Sequence, residues 1–526
     1  MRAKDACLII NPRTGENLAK LTDILTVLAA AGWDTDILIK KYGGNTLQLA
    51  KDAARQKYDL VIAYGGDGTL NQVVNGVLYA QNGHNGHSSV AVLPGGTANV
   101  WANEVGIPAD PVKSALTLIN SRARQVDIGH VQVEGLTFPP TAGEVTSETP
   151  VAFDHGGKPA KKHSGNTSSK ARHDFLLMAG LGIDAAIMGH VSKPLKYRIG
   201  PLAVGVSAAK ELPKQHPFPV QIHAPGSGGQ NEQVWRGEAI QVVIGNTRKY
   251  ADVVEMTPDA YIDDGSLDAC VITANDPLTT LQQITSLLLR RKPDNVNAEY
   301  FHGPHLYVTV PATVALQVDG SAVKLKDYLG KKDRAALREA ADPGQVMVTY
   351  RFDAIPKALS VAVPCTYDNA LFESAHKQST DQANGARQPD AQENQKADQQ
   401  AEDQQEHEQR DQEDQEDQRG DHQDATPEPL PLQEGLQATY KVKVIGASRN
   451  PDKKKPFYVI AGTLIKQSTG EIRPVAVRVN GKTTLLHRSG GAATLADIDA
   501  LPEGAEIGVD GKKNKRGVIA ATNMVI

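Results

Sequence analysis

The feature that most constrains this chain is a glycine-rich turn between an apolar run and a helical pattern. Residues 60–64 are apolar and predict a buried strand, and Gly65-Gly66-Asp67-Gly68-Thr69 follows them directly. Apolar residues then recur with the spacing of one helix face, at Leu70, Val73, Val74, Val77 and Leu78. Glycine lets a backbone approach a ligand closely, and a helix N-terminus attracts anions. The turn is therefore expected to bind phosphate, with the Asp67 carboxylate at its centre.

Two further turns help to distinguish a ligand site from an ordinary tight turn. Residues 11–15 (Asn-Pro-Arg-Thr-Gly) follow apolar residues 7–10, and residues 93–99 (Leu-Pro-Gly-Gly-Thr-Ala-Asn) follow apolar residues 90–92. Ligands of open α/β sheets bind at the carboxyl ends of the strands. Three turns of similar chemistry at that edge favour a shared site over three turns that need glycine for conformation alone.

The order of patterns predicts two domains in the first part of the chain. Residues 1–125 alternate strand and helix, with helices expected at 17–31 and 45–56, which indicates an α/β domain with a parallel sheet. Residues 126–366 contain short β-type runs and predict a second domain of antiparallel β-strands.

Two segments of the second domain look inserted. Residues 134–171 are rich in Gly, Pro, Ser, Thr and Lys and predict a loop. Residues 326–345 contain a charged, helix-like stretch. Neither is assigned a chemical role.

The last part of the chain predicts a linker and a further domain. Residues 377–433 are dominated by Gln, Asp and Glu, so a disordered acidic linker is expected, with a charged helical spacer as the alternative. Residues 436–526 return to short strands separated by turns such as Asn480-Gly481 and Asp510-Gly511. This pattern predicts a small all-β barrel, with a small sandwich as the alternative, and the oligonucleotide-binding type is one candidate for the barrel.

The predicted barrel is basic, with 15 Lys and Arg against 7 Asp and Glu in residues 436–526. Its clusters are Lys453-Lys454-Lys455 and residues 512–516. Such loops attract anionic lipid headgroups, nucleic acid or the acidic linker, or they are simply solvated. Nucleic-acid binding is possible but weakly supported, because few aromatic residues are available to stack on bases.

The cysteines and the apolar runs indicate in which cellular compartment the protein is expected. Cys7, Cys270 and Cys365 are far apart and form no metal-ligand spacing, so a reducing compartment without a disulfide framework is favoured. The sequence has no apolar run of about 18 residues, so no transmembrane helix is expected. The chain is expected to be cytoplasmic, with peripheral membrane contact.

In order and spacing, the motifs resemble the diacylglycerol kinase catalytic family, which includes bacterial diacylglycerol kinases and the sphingosine and ceramide kinases. The first domain carries the resemblance at residues 11–15, 65–77 and 93–108. The second domain carries it at residues 126–129, 175–184, 196–203, 245–246, 263–268, 318–320 and 355–364. The resemblance does not extend to residues 436–526.

The resemblance implies that residues 126–366 form an all-β sandwich that binds the lipid substrate. It also implies an ATP- and Mg²⁺-dependent lipid kinase whose active site lies in the cleft between the two domains. It implies a nucleotide site made of Asn11, Gly65, Gly66, Asp67, Gly68, Thr69, Gly95, Gly96, Thr97 and Asn99. Asp67, Asp127 and Asp319 are the expected catalytic carboxylates, and Asp67 is expected to act on magnesium and on the attacking hydroxyl. Asp264 and Asp268 match a segment that the family associates with a structural magnesium.

Ordinary structural roles remain open for several of these residues. Thr97 is equally suited to be a helix N-cap. Asp127 could be a turn residue after a strand. Asp264 and Asp268 could cap an Asp-Gly turn.

The sequence departs from the family pattern at Ser321. Family members commonly have Val-Asp-Gly-Glu here, and that glutamate is thought to be the base, whereas Ser321 follows Val318-Asp319-Gly320. Either Asp67 or Asp319 takes over its role, or activity is weak or lost. A catalytically weak or inactive nucleotide or lipid sensor is therefore the alternative to a lipid kinase, and a kinase of a soluble substrate such as NAD is a third possibility.

A second departure lies before the second helix. Lys40 and Lys41 stand where the family usually has threonine, and a lysine there could still meet a phosphate.

Overall fold

The structure of the chain, a computed structural model, describes most of the predicted domains. The described residues are 5–12, 17–81, 87–139, 173–182, 217–225, 232–250, 254–273, 298–374, 438–452, 456–465 and 472–526. The predicted linker at 377–433, the motif at 196–203, Lys453-Lys454-Lys455 and most of the predicted loop at 134–171 lie outside these residues.

The first domain is the expected α/β unit. Its elements are β1 (Asp5–Ile10), α1 (Leu21–Ala30), β2 (Asp34–Ile39), α2 (Asn45–Arg55), β3 (Leu60–Gly65), α3 (Asp67–Gln81), β4 (Ser89–Pro94), α4 (Val100–Glu104) and α5 (Pro111–Ile119). A short 3-10 turn, Asn17–Lys20, precedes α1. The four strands are parallel in the order β2-β1-β3-β4. The alternation of strand and helix in the sequence correctly predicted this parallel sheet.

The sheet is covered by helices on both faces. Alternate residues of β1 and β3, such as Leu8 and Ile62, share a core with α1 and α5. On the other face α2 packs closely on α3, where a β-carbon on Gly76 would lie 2.5 Å from the Leu47 carbonyl oxygen. Every residue of β3 is buried, as its continuous apolar run predicts for a central parallel strand.

The second domain is the expected β-sandwich. Its elements are β5 (Ser121–Thr137), β6 (Asp174–Phe175), β7 (Met178–Gly182), β8 (Phe218–Ala224), β9 (Gln233–Gly245), β10 (Lys249–Tyr250), β11 (Val254–Glu255), β12 (Leu267–Thr273), β13 (Ala298–Gly303), β14 (His305–Pro311), β15 (Leu316–Val318), β16 (Ser321–Val323), α6 (Leu325–Tyr328), α7 (Lys331–Glu339) and β17 (Met347–Pro364). A 3-10 turn, Pro343–Gln345, lies before β17. Its aromatic core includes Phe175, Tyr350 and Phe352. The helix expected within 326–345 is present as α7.

Two long strands join the domains. β5 and β17 pair antiparallel over most of their length, and the expected boundary between residues 125 and 126 falls inside β5. At the far end of β17, Val361 pairs in parallel with Val90 of β4. The last strand of the sandwich therefore returns to the sheet of the first domain. Residues 134–137, expected to begin a loop, continue β5 instead because they pair with β17.

The C-terminal domain is a closed five-stranded barrel. Its elements are β18 (Tyr440–Arg449), β19 (Phe457–Ile465), β20 (Ile472–Asn480), β21 (Thr484–Leu486), α8 (Leu495–Asp499), β22 (Glu506–Lys513) and β23 (Val518–Val525). The barrel closes in the order β18-β19-β20-β23-β22 and back to β18, and β21 adds to β23 outside this circuit. The strand number matches the oligonucleotide-binding type that the sequence suggested.

One turn predicted in the barrel is wrong. Asp510 and Gly511 lie inside β22, where the register shifts against β23. The Asp510 carboxylate accepts hydrogen bonds from the backbone and hydroxyl of Thr439, and a β-carbon on Gly511 would lie 2.1 Å from the Ala520 carbonyl oxygen. Asp-Gly here marks a β-bulge, in which glycine is needed because the backbone of the partner strand lies so close.

One outer face of the barrel packs on α1 and α5. Val459 and Ala461 of β19 and Ala476 of β20 belong to the core of the first domain. Their neighbours in the strands, such as Ile460 and Val477, fill the barrel interior. In oligonucleotide-binding barrels the second and third strands form the ligand face. In this chain those strands are β19 and β20, and helices of the same chain cover that face.

Arg478 is the main polar contact of this interface. Its Nη1 donates to the Ala30 carbonyl at the end of α1, at 3.1 Å, and its guanidinium lies 4.1 Å from the ring centre of Phe457. A cation at a helix C-terminus is stabilised by the helix dipole. Lys113 and Glu503 add an exposed ion pair at 2.6 Å.

Among the described residues, no helix is long and apolar enough to cross a membrane.

We expect Arg478→Ala to lower the free energy of unfolding by about 1–3 kcal/mol, because it removes a charge-assisted hydrogen bond and a buried packing contact. Urea denaturation of the full chain measures the change. Lys482→Ala, at an exposed site just after the same strand, is the control and is expected to stay within about 0.5 kcal/mol of the parent. Equal effects of the two substitutions would mean that the Arg478 contact adds no stability.

Candidate functional site

Three chain segments leave the carboxyl edge of the parallel sheet side by side, as the sequence predicted, although residues 13–15 of the first segment lie outside the described residues. β1, β3 and β4 end side by side, and residues 11, 66 and 95 follow them. The Asn11 amide donates to the Tyr64 carbonyl, and the Gly95 amide donates to the Gly65 carbonyl, both at 3.1 Å. These hydrogen bonds extend the strand pairing by one residue and hold the loop starts in register.

Gly66 and Gly96 bring two of the loops into contact. A β-carbon on Gly66 would lie 2.9 Å from the Gly96 Cα, and one on Gly96 would lie 2.4 Å from the Gly66 Cα. No larger residue fits at either position without a backbone shift. The glycines therefore permit the backbones of the two loops to lie in contact.

Asn99 closes the third loop. It adopts a left-handed conformation with φ of +51°. Its Oδ1 accepts from the Gly96 amide at 2.8 Å, and its Nδ2 donates to the Gly96 carbonyl at 3.0 Å. Because α4 begins after Asn99, the N-cap interpretation of Thr97 is wrong. Thr97 lies exposed before the cap, on the open part of the loop.

Asn11 and Thr69 meet beneath the loops. Asn11 Nδ2 donates to Thr69 Oγ1 at 3.2 Å, and both side chains are buried. A β-carbon on Gly65 would lie 2.5 Å from that hydroxyl oxygen. This hydrogen bond joins the β1 loop to the first turn of α3.

Asp67 is the half-buried first residue of α3. Its Oδ1 accepts a long hydrogen bond of 3.4 Å from the Trp101 amide of α4. A carboxylate is favoured at a helix N-terminus by the helix dipole. Asp67 therefore lies between the second and third loops, as expected.

The Asp319 carboxylate is buried and joins the two domains. Oδ1 accepts from the amides of Leu177 and Met178, and Oδ2 accepts from the Leu176 amide and from Asn71 Nδ2, at 2.9 to 3.1 Å. Burial raises the pKa of Asp319, and these donors oppose that rise. This arrangement suits a positioning group better than a base that must meet a substrate.

Asn71 has a structural role that the sequence motifs did not predict. Besides Asp319, it donates to the Asp174 carbonyl at 2.9 Å, and Asn75 donates to the same carbonyl at 3.0 Å. Both asparagines are buried on the face of α3 that meets the sandwich. Their i, i+4 spacing within an apolar helix pattern was the available signal.

Ser321 faces the glycine-rich turn across the domain boundary. Its Oγ lies 3.9 Å from the position that a β-carbon on Gly68 would take. The residue that replaces the usual glutamate is therefore adjacent to the loop that carries Asp67.

The Asp127 carboxylate accepts hydrogen bonds from backbone amides and does not face the loops. Its Oδ1 accepts from the Lys357 amide and its Oδ2 from the Gly265 amide, both at 2.6 Å. Burial raises its pKa, and these two amides oppose the shift. Asp127 thus ties the irregular part of β17 to the turn before β12.

Asp264 and Asp268 lie in and after that turn. Asp264 Oδ1 accepts a hydrogen bond from the Ser266 amide at 2.8 Å. This is the contact expected if Asp264 caps the Asp-Gly turn. Burial, with the added charges of Asp268 and Asp127, raises the pKa of Asp264 to about 6. Asp268 Oδ1 lies 3.2 Å from His302 Nδ1. In the part of the chain that the structure describes, no three His, Cys, Asp or Glu residues group as metal ligands, so these two carboxylates make at most a partial magnesium site.

Glu104 is a second residue that the sequence did not single out. Its Oε1 accepts from the amides of Arg248 and Lys249, at 2.9 and 3.3 Å. The other end of the same short helix, α4, contacts Asp67 through Trp101. Glu104 therefore fixes α4 against the sandwich. Burial raises its pKa to about 7.

We expect Glu104→Gln to gain stability relative to the parent as pH rises. The raised pKa means that the folded chain holds this proton more tightly than the unfolded chain does. The contribution of Glu104 to stability is therefore present below its ordinary pKa of 4.5 and is lost as pH rises to about 7. Glutamine keeps an acceptor oxygen and cannot ionise. Between about pH 5 and about pH 8 the difference should grow by up to about 3 kcal/mol.

Urea denaturation of parent and variant across this pH range measures the difference. Glu339→Gln, at an exposed site on α7, is the control and should give a flat difference. A stability difference for Glu104→Gln that does not change with pH would contradict the raised pKa assigned to Glu104.

Two family models match this chain. The diacylglycerol kinase catalytic domain matches residues 5–131, and the YegS C-terminal NAD kinase beta sandwich-like domain matches residues 178–328. The diacylglycerol kinase of Bacillus subtilis (strain 168) is 27% identical over 320 residues, which is 60% of this chain and 89% of that protein. The diacylglycerol kinase of Staphylococcus aureus (strain Newman) is 29% identical over 290 residues, covering 55% of this chain and 76% of that protein.

Among solved structures, a diacylglycerol kinase from Bacillus anthracis str. Sterne aligns with 18% identity and a TM-score of 0.46, covering 70% of this chain and 98% of that chain. The two family models lie on the α/β domain and on the β-sandwich, in the order that the motifs predicted. Residues 5–131 of the chain therefore match the diacylglycerol kinase catalytic family, and residues 178–328 match the sandwich domain of the second model.

Proposed function

We propose that this chain is a lipid kinase that transfers the γ-phosphoryl group of ATP to a hydroxyl of diacylglycerol, a sphingoid base or a similar lipid. One observation carries the proposal: Asp67 lies between two touching glycine loops at the sheet edge, and the sandwich turn with Ser321 lies opposite Gly68. The relatives named diacylglycerol kinase make diacylglycerol the first substrate to test.

The loops and Asp67 have distinct roles in this proposal. The backbone of residues 66 and 95–97 lies against the phosphates, with Thr97 on the open side. Phosphoryl transfer depends mainly on positioning and charge neutralisation, which magnesium supplies when bound with the nucleotide. Asp67 accepts the proton of the attacking hydroxyl, since its carboxylate is half-buried at the loop contact.

Asp319 and Asp127 act on the site through other residues. Asp319 fixes α3 through Asn71, and Asp127 fixes the turn at residues 264–266. Asp264 and Asp268 would hold a structural magnesium there, which would offset the burial and the neighbouring negative charges that raise the pKa of Asp264. No step of the transfer passes through that ion.

The cellular setting belongs to the same proposal. We infer a cytoplasmic protein that meets its substrate at the membrane surface. Any nucleic-acid contact of the barrel would use its exposed loops, because helices cover the outer face of β19 and β20.

We expect Asp67→Asn to lower kcat by about 100-fold or more, because a general base contributes that much. The assay is formation of phosphorylated lipid from ATP and diacylglycerol dispersed in detergent micelles. Nucleotide affinity, measured by calorimetry, should stay close to that of the parent. Asp333→Asn, at an exposed carboxylate on α7, is the control. A parent chain that binds nucleotide but turns over no member of a broad lipid panel would contradict the proposal.

The alternative, a catalytically weak or inactive sensor, is motivated by Ser321. If Asp67 suffices as base, Ser321→Glu should change kcat by less than about tenfold. A gain of about 100-fold or more from a very low parent rate would show a degraded active site and favour the sensor. A kinase of a soluble substrate such as NAD is the third candidate, and profiling lipid against soluble acceptors separates it.

A further inference from the structure

An exposed apolar segment lies at one edge of the first domain. Among the described residues, eight large apolar side chains are exposed, and three of them fall between residues 37 and 42. Ile37 is 39% exposed, Ile39 is 52% exposed and Tyr42 is 64% exposed. Single exposed apolar residues are common on protein surfaces, whereas a local cluster points to an interaction.

The position of the segment explains its exposure. β2 is the outermost strand of the parallel sheet. Ile37 and Ile39 pair with Leu8 and Ile10 of β1, which are fully buried. The same face of the sheet that is core at β1 is therefore open to solvent at β2.

The segment ends at the edge of the sheet that carries the candidate site. The Lys40 amide donates to the Ile10 carbonyl, directly before Asn11. The chain then turns outward, and a β-carbon on Gly43 or Gly44 would meet no atom within 4 Å. The open loop therefore projects beside the nucleotide loops.

The apolar segment also carries positive charge, because Lys40 and Lys41 lie between Ile39 and Tyr42. Tyrosine prefers the boundary between water and lipid, since its ring is apolar and its hydroxyl is polar. Lysines beside it are attracted to the negative surface of an anionic membrane.

We propose that residues 37–42 dock this chain on an anionic lipid bilayer, with Ile39 and Tyr42 entering the headgroup region and the lysines contacting the headgroups. The inference rests on the proposed lipid kinase function and names the surface at which the substrate is met. Pairing of β2 with a second copy is the competing use of an edge strand. It would leave unexplained why the apolar residues continue into a lysine-bearing loop beyond the strand.

Vesicle co-sedimentation of the full chain tests the docking. The vesicles are phosphatidylcholine with and without phosphatidylglycerol, and no nucleotide is added. The parent should partition onto the anionic vesicles, and binding should weaken as salt is raised. Ile39→Ser combined with Tyr42→Ser should lower the partition coefficient by about tenfold or more.

The matched control is Ile472→Ser, at an isoleucine that is 66% exposed on the barrel. It should leave vesicle binding unchanged. Failure of the parent to bind anionic vesicles, or equal loss in the control, would overturn the proposal. Loss of a dimer in the double variant, measured by light scattering, would overturn it in favour of strand pairing.

Activity on lipid in detergent micelles separates this proposal from the function on which it rests. The double variant should keep the parent rate in micelles and lose rate on vesicles. A parent inactive on every lipid that still binds vesicles through this segment would refute the kinase function and leave the docking intact. A fall in nucleotide affinity in the double variant would overturn the docking assignment, because the segment would then serve the nucleotide site.

Discussion

The hydrogen bond from Asn71 to Asp319 ties the helix that carries Asp67 to the β-sandwich. Asn71 lies one helical turn after Asp67 on the same helix, so the two residues share a side of α3. The carboxylate that accepts from Asn71 also accepts from the backbone of residues 176–178. Removing a hydrogen-bond partner from a buried polar group costs about 1–3 kcal/mol, and more where the group is charged. The sandwich must therefore bring its strand and α3 to one point, and the position of Asp67 follows from that requirement.

The same requirement explains how residue 321 can differ from the family while the turn before it persists. Asp319 and Gly320 both have left-handed backbones, with φ of +44° and +67°. A left-handed non-glycine residue costs about 1–2 kcal/mol, which the four donors to Asp319 offset. The turn therefore persists because the fold requires it. Ser321 follows it, with its Oγ near the glycine-rich loop, so replacing it changes the chemistry available at the site without disturbing the turn.

The sequence predicted what depends on local pattern and missed what depends on which elements meet. The strand, turn and helix around Gly65 were predicted because apolar period and glycine both act locally. The contacts of Asn71 and Glu104 join segments far apart in the chain, and one buried asparagine looks like another in sequence. Asp510-Gly511 was misread because glycine marks both turns and β-bulges, and only the pairing with the neighbouring strand shows which of the two is present. The catalytic use of Asp127 and Asp319 was inferred from motifs, and their backbone hydrogen bonds could be seen only in the folded chain.

The barrel shows why strand topology alone does not identify a ligand. Its second and third strands would carry a nucleic acid in an oligonucleotide-binding fold, and such a face needs basic and aromatic side chains. Here the face presents Val459, Ala461 and Ala476, which pack on α1 and α5. The signal was already in the apolar run 457–461, since a barrel strand that is apolar on both faces must be covered on its outer side. α1 therefore lies between the sheet and the barrel. Because Arg478 holds the C-terminal end of α1, the barrel helps to stabilise the α/β domain that carries the candidate nucleotide site.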